Sequence, residues 1–559
     1  MESIINTSIT MSKNCTNCQQ EFEISLEDQA YYQKIQVPEP KQCPTCRNQR
    51  RLSHANLMNL YKRKCDKTGQ DIISHYHQNV PFPVYEQSIL ATQEFDPTAY
   101  GQDYDFNKTF FEQYRELYLK VPRASKLTAY TYDENSEYTN HAGMNKNCYM
   151  LFDSDYNHDC MYGSGNLHCK SNCDNYRMSK SELCYQCIDC TNSYNLKFSQ
   201  DCENCSDSAF LKNCIGCKEC FMCSNLKNKQ YYIFNQQKTK EEYEQYMQGL
   251  GSYSKTIEFI NYYRQFIQNY PQRYIHGSQY ENVSGDYLVN SKNAINCFDS
   301  LELWDCKNIT KGFGNTKDSF DCDEIGNGAE LAYECCYSGY NLNNCKFTAK
   351  TLDNVSNLYY CLNCNHSKDC FGCISAFHKQ YCILNKQYTK EEYEALVPRI
   401  IEHMKQTGEY GEMIPIQLSD FAYNESDAQD WYPLTKDQAL AKGYAWRDAD
   451  PKEYLPATTT LKDNISETDQ SITNELLACE SCSKNYKIVP QEFKFYKNQN
   501  LPIPRQCFSC RHKNRHELRN KRQLFQKNCN NCQTPITTTY NPQSNYQVFC
   551  ESCYQQSLA

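Results

Sequence analysis

The two ends of the chain carry one pattern in a single unbroken register. Cys15, Cys18, Cys43 and Cys46 become Cys479, Cys482, Cys507 and Cys510 under a shift of 464 positions. The same shift carries Tyr32 onto Tyr496, Pro38 onto Pro502, Pro40 onto Pro504 and Arg47 onto Arg511. It also carries Cys65 onto Cys529, Ile72 onto Ile536, Tyr76 onto Tyr540 and Val84 onto Val548. A module over 15–89 therefore recurs over 479–553, and segments that repeat in register are expected to fold alike.

Each copy has two parts. The first is CxxC, 24 residues, then CxxC followed by Arg. Zinc takes four ligands in a tetrahedron, and two CxxC knuckles supply four thiolates with little strain. The residues after the second pair, CRNQRRLSHANLMN and CRHKNRHELRNKRQ, read as helical. A knuckle, a hairpin and a helix that donates the last two ligands resemble a treble clef. The second part, in the C-terminal copy, is Cys529, Cys532, Cys550 and Cys553, a spacing that resembles a zinc ribbon. The N-terminal copy keeps Cys65 but has Thr68, Glu86 and Ile89 at the other ligand places. It is expected to keep the hairpin without metal, with His75 and His77 nearby either as substitute ligands or as solvated strand residues. Three zinc sites follow, formed by Cys15, Cys18, Cys43, Cys46; by Cys479, Cys482, Cys507, Cys510; and by Cys529, Cys532, Cys550, Cys553.

A second repeat lies between them. Residues 219–244 match 369–394 at 15 of 26 positions under a shift of 150, and both end in TKEEYE. Thr239 with Glu242, and Thr389 with Glu392, have capping-box spacing, so each half reads as a β-rich block closed by a helix. In the first block Leu196, Leu211 and Leu226 are 15 apart, as are Cys187, Cys202 and Cys217, and Cys190, Cys205 and Cys220. A fixed period implies stacked coils, as in a parallel β-solenoid. The second block, about 297–385, is less regular and suggests coils near 20 residues.

Of the 37 cysteines, 24 lie in this centre. Met1 to Thr10 has no secretory pattern, so a reducing, cytoplasmic setting is expected and disulfides are not. Two readings stay open. The thiols pack as small hydrophobes in a ladder, or they bind metal, since Cys214, Cys217, Cys220 and Cys223 form CxxCxxCxxC. A ferredoxin run would end with a three-residue gap and a proline, and this one does not.

The charge is divided. Net charge is −9 overall, but 1–64 carries +3, 476–559 carries +8 and the segment between carries −20. Each first-part unit leads into a basic tract. Arg47, Arg50 and Arg51 stand in one, and Arg511, Arg515 and Arg519 recur every four residues in the other, on one helix face. Such a stripe suits nucleic-acid phosphates, and equally a docking site for the acidic centre. The alternative partner is a protein bound through the tyrosine-rich middle. No apolar run is long enough to span a bilayer. Phosphate-loop, GxSxG and HExxH signatures are lacking: His516-Glu517 is followed at the fourth place by Asn520. All-thiolate sites are of the closed, structural kind, so the expectation is a non-catalytic scaffold, with a redox or iron–sulfur protein as a further alternative.

The segment CTNCQQEFEISLEDQAYYQKIQVPEPKQCPTCR resembles a family described only as a probable zinc-ribbon or treble-clef domain, with Phe22, Asp28, Gln29 and Tyr31 at its aromatic and acidic-Gln-aromatic places. FDPTAYGQDYDFNKTFFEQYREL, KQYCILNKQYTKEEYE and IPRQCFSCRHKNR extend the likeness. Over nearly the whole length the chain resembles large cysteine-rich zinc-ribbon proteins of candidate-phyla bacteria. That resemblance implies an architecture and leaves activity open. The expected fold is mainly β with some α. It has treble-clef-like modules at 1–56 and 476–520, a degenerate ribbon hairpin at 57–100 and a ribbon at 521–559. The solenoid blocks are expected at 146–236 and 276–386, with a connector at 101–145, a helical insert at 237–275 and a helix plus acidic connector at 387–475.

Overall fold

The computed structural model describes residues 11–92, 95–326, 329, 332–334, 336, 346–349 and 356–558. The opening ten residues, and with them the expectation about a leader, lie outside these, as do parts of the second central block.

From Met144 to Phe234 nearly every third residue has a left-handed backbone, for example Asn147 (φ 52°), Met150 (φ 52°) and Asp153 (φ 50°). A left-handed non-glycine residue costs roughly 1 kcal/mol or more, least for Asn and Asp. Asn and Asp fill many of these corners, and they stack: Asn135 Nδ2 donates to Asn147 Oδ1 at 3.0 Å, and Asn147 Nδ2 to Asp159 Oδ1 at 3.1 Å. Between corners, residues 12 apart pair in parallel: Lys146 with His158, His158 with Lys170, and Tyr185 with Lys197. One circuit thus consists of four three-residue sides.

The residue two places before each corner points inward. These are Cys184, Cys187, Cys190, Ser193, Leu196, Ser199, Cys202 and Cys205, all at most 2% exposed. Their backbone N–H groups also point inward and need acceptors. At several of these positions a side chain one circuit earlier supplies one: Asn172 Oδ1 accepts from Cys184 N, Ser193 Oγ from Cys205 N, and Cys205 Sγ from Cys217 N. Each thiol in turn donates to the carbonyl two residues back, as Cys214 does to Lys212 and Cys220 to Lys218. Cysteine suits the position because it is small, apolar enough for a dry interior and still able to make both bonds.

The 15-residue spacing is therefore not the stacking register. Leu196 lies beside Ser208, and Leu211 beside Cys223, each at +12. A 15-residue step is one circuit plus one side, so the leucines wind around the interior. In the second block the described parallel pairs are 11 to 13 apart, as in Gly277 with Leu288, Gly285 with Cys297 and Lys307 with Phe320, well short of the expected 20.

Across the described residues the architecture is mixed: many small sheets of two to five strands, with helices and no closed barrel. The capping boxes form as expected, with Thr239 opening the helix Lys240–Gln248 and Thr389 opening Lys390–Gln406. Thr435 and Gln438 cap the short helix Lys436–Ala441 in the same way.

The chain makes two compact units, Met1–Lys126 with Ile275–Asp448, and Leu127–Tyr274 with Ala449–Ala559. Each holds one paired central block, one TKEE helix, one copy of the four-cysteine module and one ribbon hairpin. The module precedes its block along the chain in the first unit and follows it in the second, so both sequence repeats are copies of one assembly. In the first unit Tyr31, Phe320, Tyr360 and Phe371 share a core with Phe110, Tyr114 and Leu117 of the helix Phe110–Lys120. In the second, Phe210, Phe221 and Ile233 pack with Leu250, Phe495 and Tyr496.

Candidate metal centres and arginine clamps

Local chain geometry builds the first cluster. Strands Met11–Asn14 and Glu21–Ile24 pair antiparallel and hold Cys15 and Cys18 at their tip. The helix Leu26–Lys34 follows, and Pro44–Ser53 then begins directly after Cys43, which places Cys43 and Cys46 at its positive end. The second copy repeats the order with Leu477–Ala478, Asn485–Tyr486, Pro490–Asn498 and Phe508–His516.

Three groups of four sulfurs converge as the spacing predicts: 15/18/43/46, 479/482/507/510 and 529/532/550/553, each with all its sulfurs within 4.8 Å of one another. The edges Cys18–Cys43, Cys482–Cys507 and Cys532–Cys550 measure 3.8, 3.7 and 3.7 Å. A tetrahedron with Zn–S bonds of 2.3 Å has an edge of about 3.8 Å. Backbone donors are already aimed at the sulfurs: Cys43 N–H points to Cys15 Sγ at 3.3 Å, and Cys550 N–H to Cys529 Sγ at 3.2 Å. Hydrogen bonding with Cys46 pulls the Cys43 thiol down while raising Cys46 itself, and bonding with Thr534 pulls Cys532 down. The donor set therefore fits a soft, four-coordinate metal ion.

The N-terminal ribbon keeps the backbone of its counterpart without its ligands. Tyr61–Lys64 pairs with Asp71–Ser74 as Phe525–Asn528 pairs with Pro535–Thr538. Glu86 N–H points to Cys65 Sγ at 3.4 Å, where Cys550 N–H points to Cys529 in the other copy. Asp66 accepts from Val84 N–H at 2.7 Å as Asn530 does from Val548 N–H at 2.8 Å. Each ribbon also adds a parallel strand to its own unit, Val84–Tyr85 beside Arg123–Ala124, and Val548–Phe549 beside Gln272–Arg273. His75 is buried against Tyr76 and Phe421 rather than solvated, and His77 meets the Tyr61 ring; among the described residues neither joins a converging ligand group.

The central thiols are arranged differently. Among the described residues, no three of them bring their sulfurs within 4.8 Å of one another. None of the described cysteines forms a disulfide, and the central ones bond carbonyls along the interior.

The six arginines expected to face phosphates are turned inward, and their placement corrects that expectation. Arg47, Arg50, Arg51, Arg511, Arg515 and Arg519 are each at most 5% exposed. Arg47 grips both carboxylate oxygens of Asp321 at 2.8 and 2.9 Å, and Arg51 pairs with Asp323. Arg50 pairs with Glu334 and Glu412. In the other unit Arg511 and Arg515 converge on Asp174, each at 3.0 Å, and Arg519 meets Asp189 at 2.7 Å. Asp174, Asp189, Asp321 and Glu334 all stand at left-handed corners of the paired blocks. The basic stripe thus neutralises the acidic centre of its own unit.

One clamp contact was hidden in plain view. Asp28 and Glu492 are equivalent under the 464 shift, and both are buried. Asp28 pairs with Lys307, and Glu492 accepts from Tyr162, Tyr496 and Arg511. The arginine after the last ligand also bonds back, Arg47 to the Gln42 carbonyl and Arg511 to that of Gln506. Retention of Gln, Arg and an acid in both copies was the available signal. No family model, no curated protein and no solved structure matches the chain.

Proposed function

We propose that the chain is a zinc-binding, non-catalytic scaffold. Treble-clef-like modules and one zinc ribbon are closed by four thiolates each, and they clamp two stretches of β-solenoid into rigid bodies. The observation that carries this reading is the sulfur geometry, with edges of 3.7–3.8 Å in all three clusters. Four thiolates leave no open coordination position, which is the structural kind of zinc site. The test is metal content per chain on protein purified without oxygen, with an absorption spectrum. Three zinc ions and no visible band support the reading. Iron, or a visible chromophore, transfers it to the redox alternative.

A protein partner is favoured over nucleic acid as the thing the scaffold holds. The arginines are consumed internally, while the corners Met144 and Tyr156, one circuit apart, are 40 and 52% exposed, and Tyr132, 12 positions before Met144, is 67% exposed. Binding that survives moderate salt and is lost in Tyr156→Asp supports a protein partner. A steep salt dependence on single- or double-stranded probes instead revives nucleic acid.

A further inference from the structure

One residue of the second unit breaks the rule its neighbours obey. The parallel column on the outer face toward the helices runs Met161, Cys173, Tyr185, Lys197, Ala209, Phe221, Ile233. Every member is buried, and every member but Lys197 is apolar or aromatic. A methionine or leucine would fill such a place without loss, whereas burying an amine costs unless something compensates it. The compensation present is slight. The amine donates to the neutral Asn195 Oδ1 at 2.6 Å, and among the described residues no carboxylate lies within ion-pairing distance of it. Burial lowers its pKa to about 8, against the weaker opposing pull of Cys184, Cys187 and Asp207.

In front of this lysine is an open hollow of about 300 Å³, lined by Tyr243, Met247 and Leu250, by the carboxamides of Gln248, Gln499 and Asn500, and by Glu244, whose carboxylate pairs with Lys240 at 3.6 Å. That is the lower end of the size range of small-molecule sites. The helix Lys240–Gln248 supplies one wall, and Asn500 stands in a left-handed conformation just beyond the helix Pro490–Asn498. A local rule broken without a structural gain marks a functional position more often than a core one.

We infer that this cavity binds a small monocarboxylate, whose charged end pairs with the Lys197 ammonium and whose short hydrocarbon part lies against Met247, Leu250 and Tyr243. A single cation matches a monoanion rather than a phosphate dianion, and the apolar walls suit a few methylene groups. Binding is non-covalent and supplies the buried ammonium, so far bonded only to the neutral Asn195 carboxamide, with an anionic partner.

The test is a thermal-unfolding titration of the full zinc-loaded chain with butyrate at constant ionic strength, with butyramide as the neutral isostere. A saturable rise in midpoint with butyrate alone is expected, and Lys197→Met weakens it about tenfold or more, the loss of one charged contact. Because methionine continues the apolar column, the unliganded variant should be at least as stable as the parent. If it is less stable and butyrate has no effect on the parent, the lysine is merely structural and the proposal fails. Equal response to butyramide also overturns it. Should Lys197→Met not fold, Lys197→Gln and the ¹⁵N shift of the parent ammonium under butyrate decide the question, with no shift counting against the site.

Discussion

At the scale of single residues, Asp174 joins the module to the block in the second unit. It is fully buried and accepts from two guanidiniums, those of Arg511 and Arg515. Removing one partner of a buried ionic set strands the others, so Asp174→Asn is expected to cost about 3–5 kcal/mol. Urea unfolding of the zinc-loaded chain measures this, and an unmoved midpoint would remove the clamp from the account. Interior thiols should respond in the opposite way. Cys220 donates to the carbonyls of Lys218 and Lys229, and serine does a similar job at Ser208, one circuit earlier. Cys220→Ser should therefore cost about 1 kcal/mol or less, the scale of one modest hydrogen bond, and leave metal content unchanged. A drop in metal would make the central thiols ligands after all.

At the scale of elements, the helix Phe508–His516 does two things at once. Its first turn brings in Cys510 while its buried face carries Arg511 and Arg515 onto Asp174. A metal ion held by this cluster would thus fix the start of the helix whose side chains lock the block. Cys510→Ser should release one zinc ion of three and raise hydrogen exchange along 508–516, while the other two clusters keep theirs; retention of all three ions contradicts the ligand assignment. The TKEE helices depend on local capping instead. Thr389 accepts from Glu392 N–H at 3.2 Å, and Thr389→Ala should cost about 1 kcal/mol in unfolding experiments. These boxes were readable from spacing because both partners lie within one helical turn.

At the scale of the molecule, the two units repeat one plan in which four-cysteine modules hold corner-rich paired blocks. The three sites differ in access. Cys532 is exposed and Cys550 half-buried in the ribbon, whereas Cys15, Cys43 and Cys46 are buried. A chelator should accordingly strip the 529–553 site first and the 15–46 site last, followed by native mass spectrometry over time. Simultaneous loss would show that the sites open together rather than by local exposure.

What the amino-acid sequence determined unaided was whatever depends on neighbours along the chain. The ligand pairs sit three positions apart on tight knuckles, the capping boxes span four residues, and the duplication fixes that both ends fold alike. The tertiary structure alone decided where the arginines go, because Arg47 and Asp321 are 274 positions apart, and Arg515 and Asp174 are 341. A basic helix face looks the same in sequence whether it meets a phosphate or an aspartate of its own chain. The 12-residue register was hidden for another reason. An inward position asks only for a small side chain that can bond the next N–H, and Cys, Ser and Asn all meet that demand, so residue identity does not repeat where the backbone does.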